Sequence, residues 1–113
     1  MKIINAPISM EELKNIAAEI FGDMVKAVVD IERKVIVLGT ELHADAEAAL
    51  LDAGSKQNNL WGINIYLDKP RDAWIEFDSM INIRPSQNNR SRTVEDAHIR
   101  KQLVAIVNDL IHA

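Results

Sequence analysis

Met24-Val25-Lys26-Ala27-Val28-Val29-Asp30-Ile31-Glu32-Arg33-Lys34-Val35-Ile36-Val37-Leu38 decides how the chain is read. In its first half Val25, Ala27, Val29 and Ile31 alternate with Lys26, Val28 and Asp30, the period of two of an extended strand. Residues 35–38 form a short apolar run rich in β-branched side chains, and Glu32-Arg33-Lys34 is a polar break between the two. The pattern predicts an antiparallel hairpin.

Upstream of the hairpin, Ser9 and Glu12 have capping-box spacing, with Ile8 and Leu13 at the hydrophobic-staple positions. Leu13, Ile16, Ala17, Ile20 and Phe21 continue at helical spacing, and Gly22 supplies a stop. Downstream, residues 45–53 read as a short helix with Ala46, Ala49, Leu50 and Ala53 on one face. A second hairpin follows. Trp61, Ile63, Ile65 and Leu67 alternate with Gly62, Asn64 and Tyr66, and Lys69-Pro70-Arg71-Asp72 is the turn. The alternation then runs unbroken over residues 74–84: Ile75, Phe77, Ser79, Ile81 and Ile83 on one side, Trp74, Glu76, Asp78, Met80, Asn82 and Arg84 on the other. Thr93 is expected to cap a last helix whose apolar stripe is Ile99, Leu103, Ile106, Val107 and Leu110. Trp61 and Phe77 read as core, and Gly62 as either a bulge or a close approach to the backbone, for packing rather than for a ligand. The expected fold is one α+β domain over residues 1–113, ordered α-β-β-α-β-β-α. It has a four-stranded antiparallel sheet with helices mainly on one face and a polar, open second face. Met24, Val28, Tyr66, Trp74 and Met80 would lie on that second face, where a homodimer could close it.

The composition is that of a globular protein: 113 residues, 48% hydrophobic, 27% charged, net charge −4. Zero cysteines exclude disulfides and thiolate zinc sites. No apolar run approaches the ~18 residues of a membrane span, and residues 1–7 lack the apolar core of a signal peptide. The expectation is a cytoplasmic protein with no membrane partner.

Val25-Lys26-Ala27-Val28-Val29-Asp30, Glu41-Leu42-His43-Ala44-Asp45, Leu60-Trp61-Gly62-Ile63-Asn64, the stretch from Phe77 to Pro85, and Asn89-Arg90-Ser91-Arg92 together resemble a prokaryotic family known as domain of unknown function 5674. The resemblance covers nearly the whole chain. It implies a single-domain prokaryotic cytosolic protein and carries no catalytic role.

Four constellations are chemical candidates. Arg84, Arg90 and Arg92 form a basic loop with no acid among residues 84–92, whereas residues 1–52 hold 10 acids against 5 bases. Arginine forks match phosphate or carboxylate, so an anion-binding loop competes with a solvated one whose arginines pair with Glu95 or Asp96. Glu41, His43, Asp45 and Glu47 offer imidazole and carboxylates to a divalent metal, against the plainer reading of an acidic helix start. Asp30, Glu76 and Asp78 could converge on the outer sheet face with Asn64, Asn82 and Arg84, with Glu76 and Asp78 as acid and base. The alternative is a wet polar face whose acids pair with Arg84 or Lys26. Tyr66 and Trp74 beside Arg84 suggest a stacking platform for nucleic acid, but the three carboxylates on that face and the net negative charge oppose it. No cofactor motif is present. The leading expectation is a binding module that holds a partner protein or a small anionic ligand on the polar face and the arginine loop. The alternative is a small acid/base or metal-assisted hydrolase using Glu76 and Asp78.

Overall fold

The computed structural model describes residues 1–112. Its elements are β1 (Lys2–Ile4), β2 (Ile8–Ser9), α1 (Met10–Ala18), β3 (Met24–Asp30), β4 (Val35–Thr40), α2 (His43–Asp52), β5 (Leu60–Tyr66), β6 (Ile75–Glu76), α3 (Ala97–Leu110) and β7 (Ile111–His112). The class is α+β. The main sheet has five strands rather than four, in the order β1-β4-β3-β5-β6, and every neighbouring pair is antiparallel. The added strand is β1, three residues too short to declare themselves by alternation. Ile8 and Ser9 also pair in parallel with Ile111 and His112, tying the start of α1 to the end of α3.

The hairpin that decided the reading is the centre of the sheet. β3 is flanked by β4 and β5, and Lys34 turns the chain with φ +56°. One extra residue, Gly39, interrupts the β3–β4 register, so that Lys26 stands opposite Thr40 and Ala27 opposite Leu38. Gly39 has φ +79°, and a Cβ there would meet Ile16 Cγ2 at 2.8 Å, so the bulge demands glycine twice over.

α1 and α3 share one face of the sheet, as the expectation of helices mainly on one side has it, while α2 covers part of the second face, which was expected to stand open. α1 and α3 pack Leu13, Ala17, Leu103, Val107 and Leu110 onto Val25, Ala27, Val29, Leu38, Ile63 and Ile65. α2 packs Ala46 and Leu50 onto Val28, Val35, Val37 and Leu60 on the opposite face. Trp74 and Val28, expected on an open surface, are each in one of these cores. Trp74 misses the open face because the strand alternation starts at Ile75; Trp74 itself ends the short 3₁₀ turn Arg71–Ala73.

The expected strand over residues 74–84 stops at Glu76. Ser79 Oγ accepts the N–H of Ile81 and starts a 3₁₀ turn over Met80–Asn82. Asn82 then places its side chain against β5. Its Oδ1 accepts from the Gly62 N–H at 2.8 Å, and its Nδ2 donates to the Gly62 carbonyl at 3.0 Å. One side-chain amide thus stands in for the peptide group of a continuing strand. Gly62 allows this: a Cβ there would lie 2.6 Å from Ser79 Cβ. The close approach expected at Gly62 is a contact with the chain itself.

Ser9 caps α1 as expected, accepting from the Glu12 N–H. α3 begins later than expected. Asp96, not Thr93, accepts from the His98 and Ile99 N–H groups, because the stretch before it is held by Asn89.

Candidate functional site

α2 covers only part of the second sheet face. Where it begins, a pocket of about 220 Å³ opens between β3, the first residues of α2, the chain leaving β6 and the loop before α3. Lys26, Leu42, His43, Ala44, Asp78, Ser79, Met80 and Arg92 line it, together with Ile81.

The helix start is the first notable element. α1 and α3 have side-chain caps, whereas Leu42 precedes α2 and offers none. The N–H groups of His43 and Ala44 have no carbonyl one turn back inside the helix. They lie at the positive end of the helix dipole, where anions are favoured. Lys26 adds a cation from the central strand. The ion pairs found among the described residues are Lys2–Glu12 and Arg92–Asp78, so Lys26 has no carboxylate partner there. Its ammonium lies 5.8 Å from the centre of the Phe21 ring.

Arg92 brings a second cation. Its Nε and Nη2 each donate to the Asp78 carboxylate at 3.0 Å, a two-pronged fork that leaves further guanidinium N–H groups unused. The Ser79 N–H donates to the Arg92 carbonyl at 3.1 Å, which fixes the two segments side by side.

His43 is only 8% exposed. Its Nε2 lies 2.8 Å from the Ile63 carbonyl, an acceptor, so Nε2 carries the proton and Nδ1 holds a free lone pair. Burial pushes the imidazole pKa below its ordinary value, and the bond to Ile63 opposes this only in part. Lys26 pushes the same way as burial, Asp78 against it. The ring is neutral at neutral pH. With Lys26 and Arg92 set against Asp78, the pocket carries net positive charge in a chain of net charge −4.

The other candidate residues are placed elsewhere. Glu76 Oε1 accepts from Asn64 Nδ2 at 2.9 Å and from the Tyr66 hydroxyl at 3.3 Å. Burial, reinforced by Glu76, raises the Tyr66 pKa. Asn64 also donates to the Asp78 carbonyl, while its Oδ1 is buried without a partner. Asp30 does not join Glu76 and Asp78. It is fully buried, accepting from the Glu32 and Arg33 N–H groups and from the Ser55 hydroxyl at 2.6 Å. Of the metal candidates, His43 is buried while Glu41 and Asp45 are exposed. Among the described residues no three His or carboxylate side chains gather to hold a metal.

The arginine loop divides. Only Arg92 reaches the pocket. Arg84 is buried with its guanidinium 4.3 Å from the centre of the Trp61 ring, and it donates to the Gln57 and Leu60 carbonyls. Arg90 is exposed, and the loop's anion is internal. Glu95 Oε2 accepts from the Arg90 N–H at 2.7 Å, the Ser91 N–H at 2.9 Å and the Ser91 hydroxyl at 2.9 Å. These bonds, that of the hydroxyl foremost, lower the Glu95 pKa. Asn89 holds the loop from within, donating to the Asn82, Ser91 and Thr93 carbonyls and accepting from the Glu95 N–H. Sequence reasoning had Arg92, His43 and Asp78 in three separate constellations. Lys26 entered only as a pairing partner for the acids of the sheet face, and the expected helix began at Asp45, so Leu42 did not stand out as an apolar residue in the cap position.

The family model for protein of unknown function (DUF5674) matches residues 2–110. The chain belongs to this family. Its match takes in every part of the pocket, from Lys26 to Arg92. No curated protein and no solved structure matches the chain. Among the described residues of this DUF5674 domain, no helix is long and apolar enough to cross a membrane.

Proposed function

We propose that this chain is a cytoplasmic binding module that holds a small anion in the pocket at the start of α2. The observation that carries the reading is the convergence of Lys26, the unpaired N–H groups of Arg92 and an uncapped helix N-terminus on one concavity. The volume of about 220 Å³ suits a small carboxylate or phosphate rather than a nucleotide. The neutral imidazole of His43 accepts at Nδ1, so a protonated ligand group would also find a partner. The hydrolase reading has less support: Glu76 is taken by Asn64 and Tyr66, Asp78 by Arg92, and the Ser79 hydroxyl is buried against the Ile81 N–H.

Thermal unfolding at low ionic strength with inorganic phosphate and with acetate tests the proposal. A ligand present at about 100 times its Kd adds roughly 2.7 kcal/mol of stability. The doubly substituted Lys26→Ala, Arg92→Ala protein should keep its unliganded melting temperature within a few degrees and lose the shift. Absence of any shift in the unaltered protein, with either anion, overturns the reading.

A further inference from the structure

We infer that the ligand of this pocket is an amphiphile: a carboxylate bearing a short apolar chain. The inference rests on the anion-binding reading above and names the ligand class. Leu42 is 61% exposed and Met80 is 64% exposed. Met1 apart, they are the most exposed of the large apolar side chains among the described residues, and both line this pocket.

Their exposure has no source in the fold's own packing. Leu42 sits where a helix ordinarily has Ser, Thr, Asp or Asn. Any of those would take one of the free N–H groups and put a side-chain oxygen at the helix start in place of an external anion. Met80 stands in the first position of the turn Met80–Asn82, whose other members face inward: Ile81 packs against the α2 core and Asn82 is wholly buried. The turn therefore directs one flexible thioether outward over the cavity. Methionine adapts to apolar ligands of varied shape because its side chain is unbranched and polarizable.

The pocket is thus two-sided. Lys26, Arg92 and the N–H groups of His43 and Ala44 define a charged end. Leu42 and Met80 define an apolar rim. A bare inorganic anion uses the first and leaves the second in water. A chain of a few methylenes attached to a carboxylate covers both, and each buried methylene contributes about 0.8 kcal/mol, a factor of about four in affinity. The chain must be short, because a volume of about 220 Å³ equals roughly seven waters at the ~30 Å³ each occupies in the liquid.

The experiment is a calorimetric titration of the full chain with acetate, butyrate and hexanoate, with 1-hexanol as the uncharged control. Affinity is expected to rise by up to about sixteenfold at each two-methylene step from acetate to hexanoate, and hexanol should bind far more weakly than hexanoate. The Leu42→Ala, Met80→Ala protein, shortened only at exposed positions and given no new oxygen at the helix start, should bind acetate as before and lose the gain with chain length. Equal affinity for acetate and hexanoate overturns the amphiphile and leaves the anion site standing. A gain with chain length that survives in the doubly substituted protein also overturns it, since the chain then lies elsewhere. No binding of any carboxylate, or of phosphate, removes the anion site itself.

Discussion

The loop over residues 84–95 and the pocket at the start of α2 are built from the same materials, arginine and free backbone N–H groups. The loop has already found its anion: the Glu95 carboxylate takes three donors from Arg90 and Ser91. The pocket has not, for Lys26 has no carboxylate partner among the described residues and α2 starts without a side-chain cap. Local charge does not separate the two. What separates them is whether a carboxylate from the same chain can reach the donors. Glu95 lies four residues from Ser91 and can. Asp78, beside the pocket, is turned instead onto the Arg92 fork.

The largest effect on this contrast should come from opening the closed half. Asn82→Ala leaves the buried N–H and carbonyl of Gly62 without side-chain partners and removes one of the two donors to the Arg92 carbonyl. It should cost about 3 kcal/mol, measured by urea unfolding. A loss below about 1 kcal/mol would mean that water replaces the amide. Gly62→Ala attacks the same junction by overpacking, since its methyl would meet Ser79 Cβ at 2.6 Å. About 2 kcal/mol is expected, and pairing it with Ser79→Gly should recover part of that loss.

His43 gives a smaller effect, on the pocket side. Its pKa in the folded chain lies below the unfolded value, so the unfolded chain binds more protons between the two. Its contribution is full above about pH 6.5 and is lost as pH falls through the lower folded value. Melting temperature should therefore decline on acidification in that window, and His43→Gln should flatten the decline. An unchanged slope in the variant would locate the titration elsewhere. The smallest effect is the sharpest for the comparison. Glu95→Gln should speed hydrogen exchange at the Arg90 and Ser91 amides, and added inorganic phosphate should slow it again. No response to phosphate would show that the loop holds only a carboxylate delivered by its own chain.

The elements with strong local signals were legible in the sequence. Alternation placed β3 and β5, the capping box placed α1, and the stripe from Ile99 to Leu110 placed α3. Residues 74–84 alternate just as cleanly and are not a strand beyond Glu76. Periodicity cannot register that Ser79 and Asn82 bond to backbone in preference to continuing the ladder. The α-helix cap was misplaced for a related reason, since Thr93 is occupied with Asp78 in an isolated bridge. The site was legible only in fragments. His43, Asp78 and Arg92 are each conspicuous, but they lie far apart along the chain. Only the topology brings β3, α2 and the loop before α3 to one concavity.

The amide of Asn82 on Gly62 has a consequence for the chain's behaviour in crowded solution. Strand β5 is seven residues long and apolar, and past Glu76 it would expose an unpaired edge of the kind that recruits other chains into stacked sheets. Asn82 occupies that edge from within. Arg84 takes the Leu60 carbonyl two residues earlier on the same edge, so resistance to aggregation at this border of the sheet rests on two buried side chains folded back onto it, where many proteins rely on lysines or prolines along the strand.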